Sequence, residues 1–154
     1  MIVRNEQQAL CVAMEMERRA IRVYERGLML AKDQQVIAGI REILADEKEH
    51  LRRFTAMKEN CPADGNEERM LMQAMAAEML YPGGVMELER AKGLDTLHGL
   101  YEYAAESEQD AVEKYMSFAE KCENPAVAEA FTSIAAEETF HLAELKRKLE
   151  TVWS

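Results

Sequence analysis

Apolar residues recur along this chain in alternating steps of four and three over four stretches. The first stretch sets Leu10, Met14, Glu17, Ile21, Tyr24 and Leu28 on one face, and the second sets Ile40, Ile43, Glu47, His50, Phe54 and Met57. The third runs Leu97, Tyr101, Ala104, Glu108, Ala111, Tyr115, Phe118, Cys122, and the fourth Val127, Phe131, Ile134, Glu138, His141, Leu145. Steps averaging about 3.5 residues keep one stripe turned toward a partner helix, so the pattern predicts four long helices packed as a bundle. Every stripe is broken near its middle by a glutamate. Two are broken again by a histidine one turn later, as Glu47-x-x-His50 and Glu138-x-x-His141.

Punctuation sets the boundaries. Asn5 is placed to cap a first helix reaching about Lys32, and a break at Asp33-Gln34 opens a second that ends before Asn60-Cys61-Pro62. Glu67–Leu80 reads as a shorter Met-rich helix stopped by Pro82-Gly83-Gly84, with a further turn or two reaching Lys92-Gly93. Asp95 is the expected cap of a third long helix ending near Cys122. Asn124-Pro125, a cap followed by proline at the first helical position, opens the fourth.

The chain also repeats itself. Adding 91 to a first-half number carries Glu17 to Glu108, Ala20 to Ala111, Tyr24 to Tyr115, Glu47 to Glu138 and His50 to His141, with no gap. Two similar helical hairpins, joined by the 60–94 connection, therefore form one domain over 1–154. Their polar core residues should meet near an approximate two-fold axis. Whether both hairpins come from one chain or are exchanged between two subunits stays open at this stage, and a homodimer is expected.

Composition narrows the function classes. The 154 residues carry 29 acidic against 19 basic side chains, a formal charge of −10, which disfavours nucleic-acid and membrane-surface partners and suits cations. The N-terminus has no apolar run of signal-peptide length, and no stretch approaches the length of a membrane span. Cys11, Cys61 and Cys122 are odd in number and widely spaced, which argues against a disulfide framework and for a reducing, cytoplasmic setting.

Four glutamates at one level of a bundle core cannot all stay charged without compensation, and no Lys or Arg stands in the stripes to supply it. Two divalent cations would balance four carboxylates with two neutral imidazoles. Oxygen and imidazole donors suit iron or manganese, with zinc possible. Glu-x-x-His places both side chains one turn apart on a single face, within reach of one ion. A Glu-x-x-His pair from each of two helices plus a glutamate from each of the other two is the ligand pattern of ferritin-like di-metal bundles.

On these residues the chain resembles the rubrerythrin-like branch of the ferritin-like superfamily. The resemblance lies in Glu17-Arg18-Arg19-Ala20-Ile21-Arg22-Val23-Tyr24, Ala45-Asp46-Glu47-Lys48-Glu49-His50-Leu51 and their counterparts Glu108–Tyr115 and Ala136–Leu142. It implies an all-α ferritin-like bundle with a long crossover, holding two iron ions at Glu17, Glu47, His50, Glu108, Glu138 and His141, which would also be the catalytic groups. Glu17 and His50 would serve one ion, Glu108 and His141 the other, and Glu47 and Glu138 would bridge. Tyr24 and Tyr115 are expected to hydrogen-bond ligand carboxylates. The implied activity is di-iron oxidoreductase chemistry that reduces O2 or hydrogen peroxide or oxidises ferrous iron. A module that holds Fe, Zn or Mn without turnover is the alternative.

Two departures from the family matter. Typical rubrerythrins add a rubredoxin domain with paired Cys-x-x-Cys motifs, whereas this sequence stops at Trp153-Ser154, so a separate electron donor such as a rubredoxin-type protein is expected. They also carry an extra carboxylate in the third helix, tied to peroxide chemistry. The nearest positions here are Asp110 and Ala111, and Asp110 reads as a solvated side chain. Glu15, Glu49, Glu106 and Glu137 neighbour the ligands but lie off the stripes, and read as surface charge, as does His98. The Met70–Met75 stretch reads as core or interface packing.

Overall fold

The computed structural model describes residues 3, 5–60, 65, 69, 70, 73 and 89–152. Four long helices dominate them: α1 (Glu6–Leu30), α2 (Gln34–Glu59), α3 (Leu97–Lys121) and α4 (Pro125–Thr151), with a 3-10 turn at Gly93–Asp95 before α3. The architecture is the all-α four-helix bundle that the stripes predict, and it agrees with the ferritin-like arrangement that the resemblance implies. Within the Glu67–Leu80 segment only Arg69, Met70 and Gln73 are described, all helical, so the expected short helix otherwise lies outside the described residues.

The helix starts follow from local chemistry. Asn5 Oδ1 accepts from the Gln8 amide at 2.9 Å, Asp33 Oδ1 accepts from Gln35 and Val36, and Asn124 Oδ1 accepts from Ala126 just past Pro125. One expected cap is corrected. Thr96, not Asp95, caps α3: its hydroxyl accepts from the Gly99 amide at 3.0 Å, while Asp95 is taken up in the 3-10 turn. Only Thr96 has the extended backbone that a cap requires. At the other end, α1 closes at Leu30, two residues before Lys32, because Ala31 turns to an extended conformation.

α1 packs mainly on α2 and α3 on α4, so each hairpin is a unit, and the two hairpins then close on each other. The core falls into two apolar clusters. One gathers Leu10, Val12, Phe54, Tyr115, Phe118, Phe131 and Ile134, and the other Ile21, Tyr24, Ile40, Leu94, Leu100 and Leu145. Following the clusters along the helices gives their directions: α1 and α4 run one way, α2 and α3 the other. The chain leaving α2 must therefore return along the bundle before α3 can begin. At 26 residues α2 is about 39 Å long, which accounts for the long 60–94 crossover. Leu94 ends that crossover, buried against Gly27 of α1, where a Cβ would lie 2.8 Å from Leu94 Cδ1. No helix among the described residues is long and apolar enough to cross a membrane.

Burial exceeds the stripe in one place. Ala9 to Ala13 are all buried, because Ala-Leu-Cys-Val-Ala is apolar on every face. Cys11 is among them. Cys122 is half-buried and its thiol donates to the Phe118 carbonyl at 3.2 Å, while Cys61 lies outside the described residues.

Candidate metal centre

Between the two apolar clusters lies a polar layer. On α1 the apolar run Ala9–Ala13 and the run Ala20–Tyr24 are separated by Glu17, and on α2 Leu44 and Phe54 are separated by Glu47 and His50. On α3 Ala105 and Ala111 flank Glu108, and on α4 Ala135 and Leu142 flank Glu138 and His141. Because all four stripes break at the same height, the six side chains meet inside one chain. Hairpin exchange is not needed to bring them together.

They form two groups. Glu17, Glu47, His50 and Glu138 each offer a donor atom, all within 4.8 Å of one another, and Glu108, Glu138 and His141 do likewise. Glu138 belongs to both, the position expected of a bridging carboxylate. Glu47, the other expected bridge, joins the first group only. Glu17, Glu47, Glu108, Glu138 and His50 are all at least nine-tenths buried, whereas the His141 side chain remains 29 % exposed.

The electrostatics of the layer are those of a site short of positive charge. Burial pushes Glu17 up from its ordinary 4.5 to about 7, against hydrogen bonds with Glu47 and Tyr115 that favour its charge. Burial, then the neighbouring Glu138 and Glu47, push Glu108 to about 9, and burial followed by Glu17 drives Glu47 well above the carboxylate range. For His50, burial opposes protonation, but the contact with Glu138 and the surrounding carboxylates outweigh it, and its pKa rises.

Several buried donors are also left without hydrogen-bond partners: Glu17 Oε2, His50 Nδ1, Glu108 Oε2 and both oxygens of Glu138. His50 Nδ1 stands 2.8 Å from Glu138 Oε1, a close ionic contact that lacks the alignment of a regular hydrogen bond. Orphaned buried polar atoms cost about 1–3 kcal/mol each, more when charged. Their convergence fits cations: hard oxygen and imidazole donors, two groups and one shared carboxylate.

Supporting contacts fix the donors. The buried Tyr115 hydroxyl donates to Glu17 Oε1 at 2.6 Å, a bond from the second hairpin to a donor of the first. Burial, then the charge of Glu17, raises its pKa far above 10, so the phenol keeps its proton and remains a donor. Tyr24 departs from the expectation: it is equally buried, and the charges of Glu47 and Glu108 raise its pKa after burial has done so, but it makes no hydrogen bond to a carboxylate of the layer, and its ring meets Tyr103 edge-on at 5.5 Å. On the far side, Phe54, Phe118 and Phe131 pack around the Tyr115 ring.

Two carboxylates outside the stripes also reach the histidines. Glu137 Oε2 lies 3.5 Å from His50 Nε2 and Asp46 Oδ2 lies 3.9 Å from His141 Nε2. The two are repeat counterparts (46 + 91 = 137), each facing the histidine of the other hairpin. Glu137 is thus more than the surface charge its off-stripe position implies. The signal was the residue before Glu47 and before Glu138, acidic in both copies. Glu15 is corrected too, being only 12 % exposed beneath Arg18, Arg19 and Arg22. Asp110 stays at the surface, paired to Lys114 at 2.8 Å, and Ala111 is buried in the core, so neither brings an extra carboxylate to the centre. His98 sits by Glu102 at 3.6 Å, away from the six.

Among families of known proteins, the Rubrerythrin family model matches residues 100–152, the stretch that holds Glu108, Glu138 and His141. No curated protein and no solved structure gives a match.

Proposed function

We propose that this rubrerythrin-like chain is a di-iron carboxylate oxidoreductase that reduces hydrogen peroxide or O2, or oxidises ferrous iron, at the Glu17–Glu47–His50–Glu108–Glu138–His141 layer. The observation that carries the proposal is the pair of ligand groups sharing Glu138, with five buried donor atoms left without a regular hydrogen bond. Two bound ferrous ions would supply the two electrons that cleave peroxide to two waters, with two protons drawn from solvent.

The protein's own contribution is positional. Glu138, common to both groups, holds them within the reach of one small molecule. Tyr115 keeps Glu17 Oε1 oriented and does so as a permanently protonated donor. The apolar clusters above and below keep water from the layer except on the His141 side, where an oxidant can approach. Electrons would arrive from a separate donor such as a rubredoxin-type protein, in the cytoplasm, to a homodimer.

A module that holds iron, zinc or manganese without turnover is the second reading. It is favoured by one observation: α3 brings no additional carboxylate, since Asp110 points to solvent with Lys114. The two readings part on one experiment. The protein is loaded with ferrous iron under anaerobic conditions and mixed with peroxide or with O2, following oxidant consumption and the appearance of ferric absorption. Turnover faster than that of ferrous iron free in buffer supports the oxidoreductase. Stoichiometric metal with no consumption above that background removes it in favour of the second reading.

A further inference from the structure

The hairpin repeat predicts that the two ends of the metal layer are alike, but they are not. Beside His141 a cavity of about 40 Å³ opens to solvent, with Glu108 and His141 at its inner end and Glu42, Asp46, Glu144 and Lys148 around it. A water needs about 10–15 Å³ of such volume, so the cavity accommodates a small hydrated ion shedding its shell. Glu108, one of the residues lining this cavity, is 5 % exposed, and its buried Oε2 has no hydrogen-bond partner.

The repeat counterparts of Glu42, Asp46 and Glu144 are Ser133, Glu137 and Arg53 (42 + 91, 46 + 91, 144 − 91). There Arg53 Nη1 binds Glu137 Oε2 at 2.7 Å and its Nη2 donates to Ser133 Oγ at 3.3 Å, a cap laid over the His50 end. His50 beneath it is 4 % exposed, against 29 % for His141. A carboxylate has taken the place of the arginine at the open end, and a second carboxylate the place of the serine. One substitution pattern thus distinguishes an acidic mouth from a sealed cap.

We propose that, among the described residues, the route by which divalent cations enter the centre is the Glu42–Asp46–Glu144 mouth, reaching Glu108 and His141 first, while the Arg53–Glu137–Ser133 cap closes the Glu17–His50 half. The inference rests on the two-metal reading and adds to it a single direction of loading. The mouth carboxylates concentrate cations by their field, an effect on association rate that salt screens. Glu144 also contacts Arg147 at 3.7 Å on the exposed helix surface, where screening by solvent leaves its negative charge largely effective toward an approaching ion.

The test copies the sealed end onto the open one. Metal-free wild-type protein, the double variant Glu42→Ser with Glu144→Arg, and a control of equal charge change, Glu120→Gln with Glu129→Arg, are mixed with Co2+ alone. Uptake is followed by its visible absorption at low and high salt. All four positions are on helix surfaces, and far-ultraviolet circular dichroism checks folding. The expected result is uptake about tenfold or more slower in the mouth variant at low salt, within twofold of wild type in the control, and two Co2+ per chain at equilibrium in all three. A mouth variant loading at the wild-type rate, or a control slowed equally, would overturn the proposal and leave the two-metal centre standing. Wild-type protein that takes up no Co2+ would instead remove the centre itself, and the mouth with it.

Discussion

At the scale of single residues, the centre depends on groups that hold the donors as well as on the donors. Tyr115 spends its hydroxyl on Glu17 Oε1 at 2.6 Å inside a shell of phenylalanines. Tyr115→Phe keeps the ring and removes the bond, so metal affinity should fall about 10–100-fold while helix content is unchanged. Competition with a coloured chelator measures this, and an affinity within twofold of wild type would deny the bond any role at the centre. The six donors themselves were legible because the stripe period and the 91-residue repeat each selected the same positions. Asp46 and Glu137 were not, since a residue adjacent to a ligand lies about 100° around the helix from it. Only the packing of α2 beside α4 turns them toward the opposite histidine. The open and sealed ends were hidden for a related reason: Arg53 and Glu144 both read as polar surface until their neighbours across the groove are known.

At the scale of elements, punctuation predicted helices well and their first residues less well. Asn5 and Asn124 cap as their sequence context implies, but Asp95 and Thr96 are both competent capping residues. The choice between them is made by the 3-10 turn that delivers the crossover into α3. That turn also brings the Gly93 carbonyl against the α carbon of Gly99, where any side chain would collide with backbone. Gly99→Ala should therefore destabilise the protein by about 1–3 kcal/mol, despite the better helix propensity of alanine. Urea unfolding would show this as a lower midpoint at unchanged slope, and a stabilised variant would mean that the turn is free to shift.

At the scale of the whole molecule, the buried carboxylate layer is where folding and the proposed metal binding oppose each other. Glu17 and Glu108 have pKa values raised from 4.5 to about 7 and about 9, so the folded metal-free protein retains protons that the unfolded chain has released. Stability contributed by those protons is complete below about pH 4.5 and is lost as pH rises through 7 and then 9. Chelated protein should thus unfold at lower urea at pH 8.5 than at pH 5.5. Metal-loaded protein should show the opposite order, because cations replace the protons and bind better as the ligands ionise. Chelated protein equally stable at both pH values would show that these carboxylates reach solvent. The most direct test of the account is the number of metal ions per chain, found by elemental analysis after reconstitution with ferrous iron, in wild type, Glu17→Ala and Glu138→Ala. The geometry predicts two ions in wild type, one in Glu17→Ala, whose side chain serves a single group, and fewer than one in Glu138→Ala, which belongs to both. Two ions retained in Glu138→Ala, or none in wild type, would contradict a centre built around a shared Glu138.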